Sequence, residues 1–162
     1  MSDAGPLDDA MPALLSDDDG PVFRFPVRVY YEDTDAGGIV YHAAYLRFAE
    51  RARTEVLRLT GVTHVALWRD SGVAFAVRRC EIDYLIPARL DDLLAVHTRI
   101  ANISGATLEM HQSIHRTGSG GAEAVLTRLS TKLACIDKAG RAVRLPSAVR
   151  IALANAFRRA GN

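Results

Sequence analysis

No apolar run in the chain approaches the ~18 residues of a membrane-spanning helix, so no membrane span is expected. The first twenty residues have neither a basic start nor an apolar stretch, which argues against a secretory signal. Cysteine is scarce: Cys80 and Cys135 stand alone, inside strand-like runs and without metal-type spacing. Buried free thiols in a reducing cytoplasm are therefore expected rather than a disulfide, and no metal site is read from them. No nucleic-acid motif is present and the basic residues are dispersed, so no nucleic-acid partner is expected. No long internal repeat divides the chain. Residues 1–20 lack Lys and Arg entirely but hold six acids, Asp3, Asp8, Asp9, Asp17, Asp18 and Asp19. They read as a disordered acidic tail, 1–20, ahead of one folded domain, 21–162.

What is present is ordinary for a globular protein of 162 residues: 49% hydrophobic and 24% charged, enough to bury a core. The net charge of +1 conceals an asymmetry. Beyond residue 20 there are 20 basic and 13 acidic side chains, a formal +7. A folded part this basic favours anionic partners, such as a phosphate-bearing ligand.

Phe23 to Tyr31 alternates as a strand, and Pro26 predicts an edge or a free side there. A helix follows from Tyr41 to Thr60. Its stripe is Tyr45, Phe48, Ala49, Ala52, Val56 and Leu59, and Gly61 is the stop signal. A shorter helix is expected over 63–70. The period then becomes two, with a phase change near Arg78-Arg79 that predicts a bulge. Pro87 ends this strand, and residues 89–92 form the turn. Further strands are expected over 93–103, 107–116 and 123–136, with a flexible loop at 117–121, and a closing helix over 146–157. Short connections predict antiparallel neighbours. The result is an α+β domain, a five-stranded antiparallel sheet wrapped around a long central helix.

The chemistry concentrates in Tyr30-Tyr31-Glu32-Asp33-Thr34-Asp35-Ala36-Gly37-Gly38-Ile39-Val40-Tyr41-His42, between the first strand and the long helix. With Val27-Arg28-Val29 before it and Arg51-Ala52-Arg53-Thr54-Glu55 after it, this stretch closely resembles acyl-CoA thioesterases of the hotdog fold. The likeness is to the 4-hydroxybenzoyl-CoA thioesterase family, in particular its YbgC-like branch, associated with the Tol–Pal cell-envelope system. Pro87-Ala88-Arg89-Leu90-Asp91-Asp92 also looks like that branch. The resemblance runs from about Phe23 to Phe157. It implies a hotdog thioesterase domain, assembly into homodimers or homotetramers, and hydrolysis of acyl thioesters of coenzyme A or acyl carrier protein. No dissociable cofactor is implied beyond the coenzyme A of the substrate.

Thioester hydrolysis needs a group that attacks, or activates water to attack, and donors for the developing oxyanion. Asp35 lies in a loop that a scaffold can aim, and it matches the family's catalytic aspartate. It acts as nucleophile or as general base. Gly37 and Gly38 provide freedom where the chain turns into the helix. Backbone N–H groups near Tyr41 and His42 have no intrahelical partner and form an expected oxyanion site, with Val40 alongside. His42 is the second catalytic candidate, to polarise the carbonyl, orient water or protonate the leaving thiolate. Tyr31 is the third, with its hydroxyl toward Asp35 or substrate. Asp33 reads as a turn-capping residue. The Asp33, Asp35, Gly37 series fails as a calcium loop, because glycine takes a ligand position and no glutamate closes it. Glu50 is a rival carboxylate on the helix. His64, His97, His111 and His115 read as surface or interface residues. Arg78, Arg79, Arg89, Arg116 and Arg128 are candidates to meet the phosphates of coenzyme A. Two other readings stand beside hydrolysis: a hotdog dehydratase or hydratase pairing His42 with Glu50 or Asp35, and a non-enzymatic acyl-binding or scaffolding module of the Tol–Pal system.

Overall fold

The computed structural model describes residues 11–118 and 123–159. In chain order the elements are β1 (Ala13–Asp17), β2 (Gly20–Arg28), α1 (His42–Leu59), α2 (His64–Ser71), β3 (Val73–Tyr84), β4 (Leu93–Ile103), β5 (Thr107–Arg116), β6 (Ala124–Asp137) and α3 (Ser147–Arg159). The strands form one antiparallel sheet in the order β1-β2-β4-β5-β6-β3, with α1 packed across β2, β4 and β5.

The sixth strand corrects the sequence reading. Residues 13–17, expected inside a disordered tail, pair with β2 from Ala13 opposite Arg24 to Asp17 opposite Gly20. The acids at 17–19 make a turn instead of repelling the fold. Asp17 Oδ1 accepts from the Asp19 N–H, and Gly20 takes a φ of +97°. Arg99 of β4 reaches over to pair with Asp17 and to donate to the Gly20 carbonyl at 2.8 Å. A distant cation thus neutralises an acid that local composition marks as tail. Residues 1–10 of that tail, and 119–121 of the expected loop, lie outside the described residues. Pairing with β1 stops at Arg24, so Pro26 has the free side its missing N–H requires.

The helix expectation is met, with Tyr41 and Thr60 as caps. Its buried stripe loses Leu59 and gains Ala44 and Leu57. Leu59 is 46% exposed, while Leu57 is 4% exposed and joins Leu67, Val149 and Leu153. Near its C-terminal end α1 shares a core cluster with residues of α2 and α3 as well as of the sheet, so the buried side turns. The bulge falls between Val77 and Arg79, where the phase change predicts it. Cys135 is buried, but Cys80 is exposed on edge strand β3, contrary to expectation; both are free thiols.

The other departure concerns β3 and β4. They are consecutive in the chain yet lie apart, because β3 pairs with β6 at the sheet edge and β4 pairs with β2 and β5. The segment between them is a crossing rather than a hairpin. Its backbone is bound at several points: the Val40 N–H donates to the Ala88 carbonyl at 2.9 Å, and Val29 exchanges hydrogen bonds with Asp91 and Asp92. Tyr45, buried on α1, accepts from the Ala88 N–H at 2.8 Å. Tyr45→Phe leaves that buried donor without its partner. The expected loss of stability is about 1–3 kcal/mol, read by urea unfolding; an unchanged midpoint would contradict this role for the hydroxyl.

Candidate active site

The loop between β2 and α1 is built on Asp33. Residues 31–33 form a 3₁₀ turn, and Asp33 is only 2% exposed. It accepts from the Tyr30 N–H at 3.0 Å and lies 3.7 Å from the Arg47 guanidinium. Its carbonyl accepts from the Tyr41 N–H at 2.8 Å. Asp33 is therefore the internal brace of the loop, in line with a capping role. Two residues on, Asp35 points outward. Its Oδ1 accepts from the Gly37 N–H at 2.8 Å, and its backbone closes a turn with Gly38 and Ile39. Gly38 adopts a φ of +74°, which disfavours any side chain. At Gly37, a Cβ would stand 3.0 Å from Asp35 Oδ1. Gly37→Ala is thus expected to displace the carboxylate and cut turnover by about 10–10²-fold with the melting temperature nearly unchanged. Wild-type turnover in that variant would refute the close fit.

Asp35 and His42 line one open cleft of about 340 Å³, together with Ile39, Val40, Tyr84 and Ile86. His42 opens α1, and its ring packs 4.3 Å from that of Tyr41. The Tyr84 hydroxyl donates to the His42 carbonyl at 2.9 Å. Burial, with Cys80 and Tyr45 nearby, pushes the Tyr84 phenol up, so it remains a donor at neutral pH. The N–H groups at the helix start divide sharply. Those of Val40 and Tyr41 are taken by Ala88 and Asp33, while those of His42 and Ala43 have no acceptor among the described residues. The expected donor at Tyr41 is therefore replaced by one at Ala43, because the loop folds back onto Tyr41. The open pair sits at the positive end of the α1 dipole, and His42 lines the cleft together with the Asp35 carboxylate.

Several sequence candidates are not gathered here. Tyr31 belongs to the 3₁₀ turn rather than to a strand end; it is 82% exposed and does not line the cleft. Glu50 faces two other cavities, so the pairing of His42 with Glu50 is not assembled. Among the arginines, Arg116 is held by Asp92 at 2.9 Å and by the Pro87 carbonyl, and Arg79 by Glu81. Arg78 and Arg89 are exposed, and Arg128 lines a separate cavity. The cleft wall at Tyr84, Leu85, Ile86 and Pro87 escaped the sequence reading. Its signal was an apolar run at the end of a strand, continuing to a proline on what proves to be an exposed edge.

A sequence model of the thioesterase-like superfamily matches residues 29–153. The acyl-CoA thioesterase YbgC of Haemophilus influenzae is 49% identical over 115 residues, 71% of this chain and 81% of that one. A solved structure, a probable thioesterase from Bartonella henselae, has a TM-score of 0.68 at 41% identity, covering 76% of this chain and 98% of that one. The 4-hydroxybenzoyl-CoA thioesterase of Pseudomonas sp. strain CBS-3 has a TM-score of 0.75 at 20% identity, covering 81% and 98%. At that identity the likeness speaks for the fold, which is the hotdog arrangement of an antiparallel sheet around one central helix.

Proposed function

Because this chain belongs to the thioesterase-like superfamily, we propose that it is an acyl-CoA thioesterase with Asp35 as its catalytic carboxylate. One observation carries the reading: Asp35 and His42, the first residue of the helix with its open N–H, line the same cleft. In this mechanism the thioester carbonyl oxygen lies against those two N–H groups. The charge that develops there meets fixed donors and the helix dipole. The Asp35 carboxylate attacks the carbonyl carbon, or takes a proton from the water that does. The His42 ring, beside them, protonates the departing thiolate. Tyr84 positions the His42 backbone through its carbonyl. No metal is needed for any of these steps.

The same proposal includes a cytoplasmic setting, which the two free thiols support. It includes short-chain acyl-CoA as substrate, with acyl carrier protein as an alternative carrier, and a link to the Tol–Pal system. These rest on the resemblance in the sequence. Assembly into a homodimer or homotetramer is part of it too. The support is edge strand β3, a long strand whose free side continues into exposed Leu85 and Ile86 at the cleft.

The test is a screen of acyl-CoA esters of increasing chain length, with free coenzyme A thiol detected by a disulfide dye and the acyl product by mass spectrometry. Thiol release with matching free acid is expected. Water added to or lost from an intact enoyl or 3-hydroxyacyl thioester would instead establish a hydratase. Binding without turnover would establish a carrier module.

A further inference from the structure

A cavity of about 510 Å³ lies away from the cleft at Asp35 and shares no residue with it. It opens on the sheet face opposite α1. Along β5, alternation buries Leu108, Met110, Gln112 and Ile114 toward the helix, which sends His111, Ser113 and His115 to the other side. On the adjacent strand, His97 pairs with Ser113 and so stands diagonal to His115. The two imidazoles stack at 4.2 Å. Glu123, on the segment leading into β6, places its carboxylate over both, with Oε2 3.3 Å from His115 Nδ1 and Oε1 4.0 Å from His97 Nε2.

We propose that His97, His115 and Glu123 form a binding site for a divalent metal ion of the Zn²⁺ class, with Ser113 as a positioning residue. One donor atom from each of the three lies within 4.8 Å of the others. Ligands about 2.0–2.1 Å from zinc at tetrahedral angles stand roughly 3.3 Å apart. The His115–Glu123 pair already has that spacing, and a small inward shift of His97 completes it. Two nitrogens and a carboxylate oxygen are a donor set that zinc favours, and three protein ligands leave a fourth position open.

Two further observations point to a ligand. His97 Nε2 is shielded from solvent and makes no hydrogen bond among the described residues, an unusual state for a buried ring nitrogen. Ser113 Oγ lies 2.7 Å from His115 Nε2. A proton held on Nε2 by that hydroxyl leaves Nδ1 with its lone pair toward Glu123, the arrangement that outer partners impose on metal-binding histidines. Arg24, Arg99 and Arg128 oppose a cation electrostatically. Against them, Asp17, Asp19, Glu81 and Asp83 line the same cavity, and Arg99 is already paired with Asp17. Ser113, His115 and Glu123 also stand in the order of a hydrolytic triad. Among the described residues that use lacks an oxyanion site, because Ser113 is mid-strand with ladder partners on both sides, His97 and Arg128.

The test uses the full chain, stripped with a chelator and titrated with ZnCl₂ by calorimetry and with CoCl₂ by visible absorption. One saturable site per chain is expected, with the cobalt spectrum of a mixed nitrogen and oxygen site. His97→Ala and His115→Ala should each weaken binding by roughly 100-fold or more. Ser113→Ala should weaken it by about 10–100-fold, and Ser113→Thr, which keeps the hydroxyl, should restore it. Glu123→Gln, at a half-exposed position, gives a readable result even if a histidine variant fails to fold. Asp35→Asn should bind metal like the wild type, which separates this site from the hydrolytic reading. Absence of saturable binding by the wild type, or binding unchanged in the His97, His115 and Glu123 variants, would overturn the proposal.

Discussion

Asp35→Asn is expected to fold as the wild type does and to lose about 10²–10⁴-fold in kcat/KM toward acyl-CoA. The structural demand on this side chain is small. Asp35 is exposed, and its one side-chain hydrogen bond among the described residues, from the Gly37 N–H, can equally be accepted by an amide oxygen. What asparagine cannot do is attack a thioester as a carboxylate or take a proton from water. Loss of activity with unchanged circular dichroism and melting temperature therefore isolates the chemistry. Turnover near the wild-type rate would remove Asp35 from the mechanism. A single turnover of the native enzyme in ¹⁸O-water separates the two roles left open. A general base places the label in the released acid. A nucleophile whose anhydride is opened at the enzyme's own carbonyl carries the label into Asp35.

The second large effect is on stability. Phe48 has no exposed surface and sits mid-way along α1, edge to face with Tyr45 at 6.2 Å between ring centroids. It packs among Val29, Leu94, Val96 and Ile114, where helix and sheet meet. Phe48→Ala should cost about 3–5 kcal/mol through lost burial and the cavity left behind. That is a large share of the ~5–15 kcal/mol that holds a domain together. Urea unfolding checks it, and a loss below about 1 kcal/mol would mean that the helix re-seats and fills the gap. Activity should fall as unfolded protein accumulates, with the folded fraction retaining its KM. The same helix carries the open N–H groups, so its seating on the sheet and the shape of the cleft are one problem.

Much of this was legible in the residues. The spacing of Tyr45, Phe48, Ala49, Ala52 and Val56 announces α1, because a 3.6-residue period is a local property. Alternation announces β3 to β6, and a change of phase announces the bulge at Val77 and Arg79. Asp35, the glycines and His42 stand out because they fall in a short polar stretch between two periodic segments. What escaped has a common cause: it depends on partners far away in the chain. Strand β1 needs Arg99, 82 residues from Asp17. The separation of β3 from β4 needs the backbone of Ala88 to bind Val40 and Tyr45. Tyr84 enters the cleft only because β3 is an edge strand.

The stretch from Tyr30 to His42 shows where the division falls. Its sequence alone determines that a loop must turn into a helix there, that glycine must permit the turn, and that an aspartate sits at its tip. These follow from side-chain types and backbone freedom within a dozen residues. Its sequence does not determine which N–H groups stay open. That is decided when the Asp33 carbonyl captures Tyr41 and the Ala88 carbonyl captures Val40, leaving the N–H groups of His42 and Ala43 open at the helix start. The physical reason is that a hydrogen-bond donor is defined by what it lacks, and only the assembled neighbours decide that.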